Sequence, residues 1–222
     1  MEKILDENVV RQVGEAFAEL KEPVQILFFG SKGDCDYCQD ELQLLEEVAA
    51  THALLGLTAY DLEADHEMAA RFHVDKAPGI VIAAKNGDEV VDLGIRFSGV
   101  PSGHEFSTLI NDILLVSRRD SGLSQKTRDY LKALDRPLLL QVFVTPTCPY
   151  CPRAVLLAHQ MAMENPKLIR AEGVEATEFR ALAEKYYVSG VPQTVINSGA
   201  KMVVGAVPEL NLLSQIQVAF QN

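Results

Sequence analysis

The hydrophobic positions of the first half of the chain alternate between helical and strand-like spacing. A helical pattern over 6–20 is followed by an apolar run at 24–29, which is typical of a buried strand. After further segments of both kinds, an apolar run at 79–84 leads through the turn Asn86-Gly87-Asp88 into another strand-like run. Two strands around an Asn-Gly turn predict an antiparallel hairpin. A helical pattern over 104–116 ends this half.

The second half repeats this order of elements at a nearly constant distance. Cys148 lies 113 positions after Cys35, and Pro192 lies 114 positions after Pro78. A constant offset over a whole half indicates a duplicated unit. We therefore predict an α/β protein of two tandem units, residues 1–117 and 118–222. Each unit should have a mixed central sheet, parallel at its first strands and antiparallel at its hairpin, flanked by helices.

The composition and the net charge of the chain argue against some classes of function. The chain has 222 residues and a formal net charge of -11, and its Lys and Arg residues are not clustered, which argues against a nucleic-acid partner. Its start lacks the pattern of a secretory signal, and no apolar run approaches the ~18 residues that would span a membrane. We therefore expect a cytoplasmic protein without a membrane partner. In that compartment, paired cysteines are more often catalytic, redox-sensing or metal-binding than structural.

All four cysteines fall into two Cys-x-x-Cys pairs, each at a predicted junction from strand to helix. A zinc site built from both pairs would place the second pair about 15–20 residues after the first, but 109 residues separate Cys38 from Cys148. The spacing favours dithiol chemistry over a metal site. We expect no metal, and we expect the histidines to be surface or helix residues: His52, His66, His73, His104 and His159.

Within each pair, we predict that the first cysteine is the nucleophile and the second resolves the mixed disulfide. Cys35 and Cys148 would lie at a helix N-terminus, where the helix dipole stabilises a thiolate. Cys38 and Cys151 follow three residues later, on the same helical face.

The two pairs differ in their neighbours. Asp34 and Asp36 flank Cys35, whereas no acidic residue stands beside Cys148. Because a like charge disfavours a thiolate, we predict that the thiol of Cys148 has the lower pKa and that its pair is the more oxidising. The alternative is that solvent screens both aspartates.

The order of elements, with a Cys-x-x-Cys pair before the second helix and a proline before the third strand, resembles the thioredoxin fold. Its duplication with two intact pairs resembles the protein disulfide oxidoreductases, glutaredoxin-like double-thioredoxin proteins of thermophilic archaea and bacteria. The resemblance covers the whole chain. Its most specific segments are 143–152 and 99–106, together with Pro78 and Pro192.

This resemblance implies a protein dithiol–disulfide oxidoreductase with no bound cofactor other than its redox-active disulfides. It implies electrons from a thioredoxin-reductase-like flavoprotein, and Cys-Pro-Tyr-Cys, also a glutaredoxin motif, adds glutathione as a reductant. It further implies that Pro78 and Pro192 are cis and that the backbone of Ala77 and Val191 pairs with an extended substrate peptide. The alternative for both prolines is an ordinary place at the start of a strand.

One departure concerns the proton acceptor. Thioredoxins carry a buried carboxylate six residues before the first cysteine, where this chain has Phe29 and Val142. Asp61 and Glu175 occupy matching places at the ends of the second strands and are candidate substitutes. The alternative is that both are solvated acids at strand ends.

The sequence leaves two other functions open. One is the electron-relay part of an alkyl hydroperoxide reductase flavoprotein, a family that resembles this chain in having two fused thioredoxin units but keeps only one intact pair. The other is a substrate-binding chaperone whose thiols have no role.

Overall fold

The computed structural model describes residues 3–33 and 35–221, so Asp34, predicted to flank the first site, lies outside the described residues. Eight α-helices occur within these ranges: α1 (Glu7–Phe17), α2 (Cys38–Ala49), α3 (His66–Arg71), α4 (His104–Arg118), α5 (Gln125–Lys132), α6 (Cys151–Met163), α7 (Arg180–Lys185) and α8 (Glu209–Ala219). The strands are β1 (Val24–Gly30), β2 (Leu55–Asp61), β3 (Gly79–Asn86), β4 (Glu89–Ser98), β5 (Leu138–Val144), β6 (Ile169–Glu175), β7 (Gln193–Ile196) and β8 (Lys201–Val204).

The strands form one sheet in the order β2-β1-β3-β4-β6-β5-β7-β8. In the first half, β1 pairs with β2 in parallel and with β3 antiparallel, and β3 and β4 form the predicted hairpin. The second half repeats these pairings with β5, β6, β7 and β8. The predicted fold of two mixed, helix-flanked units is confirmed.

The two half-sheets join at a seam between β4 and β6, which the hydrophobic pattern does not predict. Residues Ile95 to Ser98 pair in parallel with Ala171 to Val174. The approach depends on Gly94, whose φ is +80° and whose missing Cβ would lie 2.6 Å from the carbonyl oxygen of Ile169. Only glycine accepts this conformation and this contact without strain.

The main hydrophobic core is continuous across the seam. Side chains on one face of the sheet, such as Ile26, Ile95 and Val142, pack with helices of both halves, and α4 packs against α6. On the opposite face each half has a smaller cluster, under α3 and α7 respectively. The division into residues 1–117 and 118–222 stays a prediction, since sheet and core both cross it.

Each Cys-x-x-Cys pair lies slightly earlier relative to its helix than the pattern predicted. Helices α2 and α6 begin at the second cysteine of each pair, Cys38 and Cys151, so the first cysteine lies in the turn directly before the helix. No helix in the described residues is both long and apolar enough to cross a membrane.

Candidate redox sites

Both cysteine pairs are disulfide-bonded, Cys35 with Cys38 and Cys148 with Cys151, and the Cα atoms are 5.5 Å apart in each. Strands β1 and β5 run in the same direction through the sheet. Helices α2 and α6 both pack into the main core on one face. The two disulfides therefore lie at the same end of the strands and on the same face of the sheet.

The N-terminal disulfide borders an open cleft. Both of its cysteines are half-buried, and the sulfur of Cys38 accepts a hydrogen bond from the backbone N–H of Ser31, with an N···S distance of 3.4 Å. The cleft has a volume of about 280 Å³. Its walls come from both halves of the chain: Cys35, Asp36, Tyr37, Ala77, Pro78, Glu178 and Phe179.

The C-terminal disulfide is more enclosed. Cys148 is 7% exposed and Cys151 is fully buried, and both belong to the main core. Tyr150, between them, is 64% exposed. The first cysteine of this pair is therefore the more exposed of the two, and both are buried, whereas Cys35 and Cys38 are half-buried.

The two prolines have the geometry that the resemblance implies. The Ala77–Pro78 and Val191–Pro192 peptide bonds are both cis. The carbonyl oxygens of Pro78 and Pro192 accept hydrogen bonds from Gly99 and Gly205. The structure brings Ala77 and Pro78 to Cys35, whereas Val191 packs against the core that contains Cys148 and Cys151.

Asp61, one of the two predicted proton acceptors, is hydrogen-bonded within the turn that follows β2. Its carboxylate accepts a hydrogen bond from the backbone N–H of Ala64 over 2.8 Å. This hydrogen bond, with a smaller contribution from the charge of Lys32, holds the pKa of Asp61 below its usual value. A carboxylate with a lowered pKa is a weak base, which makes Asp61 poorly suited to take a proton from a thiol.

Glu175, the other predicted acceptor, is 4% exposed and is held at the end of β6. One carboxylate oxygen accepts hydrogen bonds from the hydroxyl of Thr177 and the backbone N–H of Glu178, and the other is buried without a hydrogen-bond partner. Glu175 lines a cavity together with Tyr37 and Asp40 of the first half. It therefore stands at the boundary between the halves, beside residues of the N-terminal site.

Sequence reasoning missed a fully buried carboxyl, Glu41, one turn after Cys38 in α2. Within the described residues, neither of its carboxyl oxygens has a hydrogen-bond partner. Burial first, and the charge of Glu178 second, raise the pKa of Glu41 well above its usual value. The sequence did contain a signal for this burial. Glu41 lies three residues after Cys38 and four residues before Leu45, which places it on the apolar face of the helix.

A second buried carboxyl, Glu105, belongs to α4 but faces α6. It is 3% exposed, one oxygen accepts a hydrogen bond from the hydroxyl of Thr108, and the other has no partner. Burial raises its pKa to about 7, against the lowering effect of the Thr108 hydrogen bond.

Helix register places Glu105 and the C-terminal disulfide at the same end of two helices that pack together. Farther along the same helices, Asp112 is bonded to the ring of His159 over 2.7 Å. Glu105 lies seven residues before Asp112, and Cys151 lies eight residues before His159, on helices that run in parallel. With a rise of ~1.5 Å per residue, Glu105 and Cys151 are at nearly the same height.

One of the histidines expected to be surface or helix residues has surroundings that the sequence does not reveal. His159 is on a helix but is fully buried, and its other ring nitrogen lies 3.1 Å from the carbonyl oxygen of Arg96. Burial between α4 and β4 of the first half explains this, since a sequence pattern does not show which helix covers which. Among the described residues, no group of three or more His, Cys, Asp or Glu side chains is arranged to hold a metal.

Comparisons with known proteins fit this geometry. Residues 138–217 match a family model described as a thioredoxin domain. The alkyl hydroperoxide reductase F subunit of Staphylococcus epidermidis is 29% identical over 81% of this chain, which spans only about a third (34%) of that relative's length. The Enterococcus faecalis counterpart, solved as a mutant, has a structure with 25% identity and a TM-score of 0.85, over 96% of this chain and 99% of that one.

A protein disulfide oxidoreductase of Aeropyrum pernix gives a match of higher identity. Its crystal structure is 34% identical to this chain, with a TM-score of 0.86, and the match covers 97% of this chain and 94% of that one. At this coverage the match extends through both halves of the chain. The chain therefore belongs to the protein disulfide oxidoreductase family.

Proposed function

We propose that the protein catalyses thiol–disulfide exchange on protein substrates, with Cys35–Cys38 and Cys148–Cys151 as its two redox-active disulfides and no other cofactor. The observation that carries this proposal is the arrangement of two disulfides, each directly before a helix, at one end and on one face of a single sheet. The first turn of a helix favours a thiolate at this place.

The reaction needs nothing beyond the two cysteines of a site and a substrate dithiol or disulfide. In the oxidising direction a substrate thiolate attacks the first cysteine, the protein S–S bond breaks, and the second cysteine leaves as a thiolate that takes up a proton. The second substrate thiolate then attacks the substrate sulfur of the mixed disulfide and releases the first cysteine. The substrate gains a disulfide, the protein gains two electrons, and reduction runs through the same steps backwards.

Substrates would bind in extended form along the segments before Pro78 and Pro192. In the described part of the chain, the backbone groups of Ala77 and Val191 make no hydrogen bond to other protein atoms, so they are available to a substrate strand. Recognition through backbone atoms accepts many sequences and gives broad tolerance for protein substrates.

The C-terminal site needs a proton acceptor for Cys151, and Glu105 is better suited than the earlier candidates. Its pKa of about 7 matches a group that exchanges protons near neutral pH. The lowered pKa of Asp61 and the position of Glu175 beside the N-terminal site favour this assignment.

The electrons for reduction would come from a thioredoxin-reductase-like flavoprotein, with glutathione as a second donor at the Cys-Pro-Tyr-Cys site. The similarity to part of a protein named as a component of a hydroperoxide reductase supports an external reductase. We assign the protein to the cytoplasm, where such donors keep thiols reduced.

Insulin reduction by dithiothreitol tests the proposed function with three variants: Cys35→Ser with Cys38→Ser, Cys148→Ser with Cys151→Ser, and all four together. We expect each double variant to retain part of the activity and the fourfold variant to have none above background. Full activity in the fourfold variant would exclude thiol chemistry and would favour the chaperone alternative. The matched control is Ser102→Ala with Ser198→Ala, which alters two serines outside both cysteine pairs.

The relay function of a hydroperoxide reductase is a second candidate, supported by the match to the F subunit over both halves. It differs from the main proposal in using one pair only. If the Cys35→Ser and Cys38→Ser double variant passes electrons to a peroxidase as fast as the wild type but loses insulin reduction, the relay is the better description.

A further inference from the structure

We propose that the N-terminal site is completed by the second half of the chain, with Glu178 and Glu41 forming a carboxyl pair that exchanges a proton with Cys38. The inference rests on the proposed thiol–disulfide exchange and adds the proton-exchanging groups of one site. It also explains how this site can work with Phe29 at the position where thioredoxins have their carboxylate.

The first observation is that Glu178 reaches across the boundary between the halves. It lines the same cleft as Cys35, Ala77 and Pro78, although it follows β6 in the second half. One carboxylate oxygen accepts a hydrogen bond from the backbone N–H of Val100, over 2.9 Å, and the other is buried without a partner.

The chain makes room for this contact at Gly99. This residue has a φ of +88°, and a Cβ placed on it would lie 2.7 Å from Cβ of Glu175 and 3.0 Å from the carboxyl carbon of Glu178. A larger residue would therefore push Glu178 away from Val100. The positive φ of Gly99 and its lack of a side chain therefore allow a carboxyl group from the other half to lie against the backbone here.

The second observation is Glu41, which is on the Cys38 side of the pair. It is fully buried, both of its oxygens lack partners, and it follows Cys38 by three residues on the same face of α2. Its charge interacts with that of Glu178. Ionisation of a buried carboxyl that has no hydrogen-bond partner costs free energy. Glu41 therefore stays protonated unless a nearby base takes its proton.

The other charged groups that line the two cavities are all acidic. Asp36 lines the cleft, and Glu175 and Asp40 line the adjacent cavity that Glu178 also reaches. Burial first, and Glu175 in addition, raise the pKa of Glu178, while the hydrogen bond from Val100 opposes them. Because no lysine, arginine or histidine of the described ranges lines either cavity, the Glu41 and Glu178 carboxyls would hold a proton to higher pH than exposed ones.

This placement supplies the proton that the exchange step requires. When a substrate thiolate attacks Cys35, the Cys35–Cys38 bond breaks, and the thiolate of Cys38 takes a proton from the carboxyl pair. In the reverse direction the pair accepts the proton of the Cys38 thiol, and the resulting thiolate attacks Cys35 and expels the substrate thiolate. The carboxyl pair thus gains or loses one proton in each half of the reaction.

The test uses the Cys148→Ser and Cys151→Ser double variant as parent, so that only the N-terminal site reacts. The rate of alkylation of the reduced Cys35 and Cys38 is followed by mass spectrometry between about pH 5 and pH 10. In the parent we expect two coupled titration steps, from the carboxyl pair and the thiol. Adding Glu178→Gln should shift the titration to lower pH, because a neighbouring negative charge is removed.

Glu184→Gln, an exposed glutamate in α7, is the matched control and should leave the profile unchanged. Glu41→Gln should act like Glu178→Gln and provides a second variant if one of them folds poorly. Superimposable profiles for the parent and for both the Glu41→Gln and Glu178→Gln variants would overturn the inference. Insulin reduction by the parent is measured in parallel. If the parent does not reduce insulin but its alkylation profiles are as expected, the proposed function is contradicted while the inference about the carboxyl pair is supported.

Discussion

The two redox sites share a local structure but differ in what surrounds them. At the C-terminal site both cysteines are buried in the main core, whereas at the N-terminal site both are half-buried and Cys35 borders an open cleft with acidic residues in its walls. Each site also has a carboxyl from the other half in its surroundings: the half-buried Glu178 lines the N-terminal cleft, and the buried Glu105 belongs to α4, which packs against the helix that follows the C-terminal disulfide. Two copies of one unit have thus acquired different surroundings through their fusion.

This difference shows that duplication of a unit does not give its two redox sites the same burial and charge. The local order of strand, cysteine pair and helix is the same in both, so the helix dipole contributes similarly to each nucleophile. What differs is burial and charge, and these depend on neighbours that are distant in sequence. The comparison can therefore be tested by changing those neighbours and leaving the cysteine pairs intact, or by removing one nucleophile at a time.

The largest expected effect comes from removing the nucleophile of one site. We expect Cys148→Ser, in the variant that lacks Cys35 and Cys38, to lower insulin reduction by roughly 100-fold or more, because a hydroxyl is a poor substitute for a thiolate. With both sites present, Cys148→Ser should lower the rate more than Cys35→Ser. We expect this order because the thiol of Cys148 is predicted to have the lower pKa, and equal losses for the two single variants would contradict it.

The next effect concerns Glu105 and the pH dependence of stability. Its folded-state pKa of about 7 lies above the ordinary value of 4.5, so its contribution is favourable at low pH and is lost as the pH rises through 7. Relative to Glu105→Gln, the wild type should lose about 3 kcal/mol of unfolding free energy between about pH 4 and pH 8.

Urea denaturation of both proteins across this pH range measures the loss. The control is Glu46→Gln, an exposed glutamate of α2 whose replacement should leave the pH dependence unchanged. If the wild type and Glu105→Gln keep a constant difference in stability at all pH values, Glu105 is not a buried titrating group.

A smaller effect is expected at the seam. Gly94→Ala would place a Cβ 2.6 Å from the carbonyl oxygen of Ile169 at a positive φ, which should cost about 1–3 kcal/mol of stability. Since the core is continuous across β4 and β6, both halves should remain in one thermal transition at a lower midpoint. The glycine of the β3–β4 turn, Gly87, has open space around it and gives the control Gly87→Ala, where only the backbone strain is expected. Two separate transitions in Gly94→Ala would show that the halves are coupled weakly.

The smallest expected effect is the difference between the two nucleophilic thiols. Acidic neighbours disfavour a thiolate at the first site and burial disfavours one at the second, so these two effects oppose each other when the nucleophiles are compared. We expect the acids to have the larger effect, so that the reduced thiol of Cys148 has the lower pKa of the two. Alkylation rates against pH for the two single-site proteins measure the difference. A lower pKa at Cys35 would show that burial dominates.

Much of the fold could be predicted from the chain because the signals are local. The apolar run at 24–29 forms strand β1 as predicted, and the predicted hairpin of β3 and β4 is joined by the turn at Asn86 to Asp88. The cysteine pairs and the prolines were found because each stands at a fixed place relative to an apolar run. These patterns depend on backbone conformation and on which face of an element is buried, and both are encoded within a few residues.

The partners of these elements could not be predicted in the same way. His159 looked like an ordinary helix residue, yet it is buried against Asp112 from a helix 47 positions earlier. Glu178 had no signal at all, since it follows a strand at a place where acids are usually solvated. Glu41 and Glu105 interrupt apolar stripes, so their burial could have been inferred, but the groups that face them could not.

The sequence by itself determined a duplicated unit, two dithiol pairs at strand-to-helix junctions and two prolines before the third strands. Only the tertiary structure decided that β4 pairs with β6, that one core serves both halves, and that buried carboxyls from one half face the helices or cleft of the other. The physical reason is that hydrophobic periodicity indicates which face of an element is buried but does not indicate which other element covers that face. Charge burial and proton affinity depend on those neighbours, and therefore the properties that distinguish the two sites appear only in the assembled sheet.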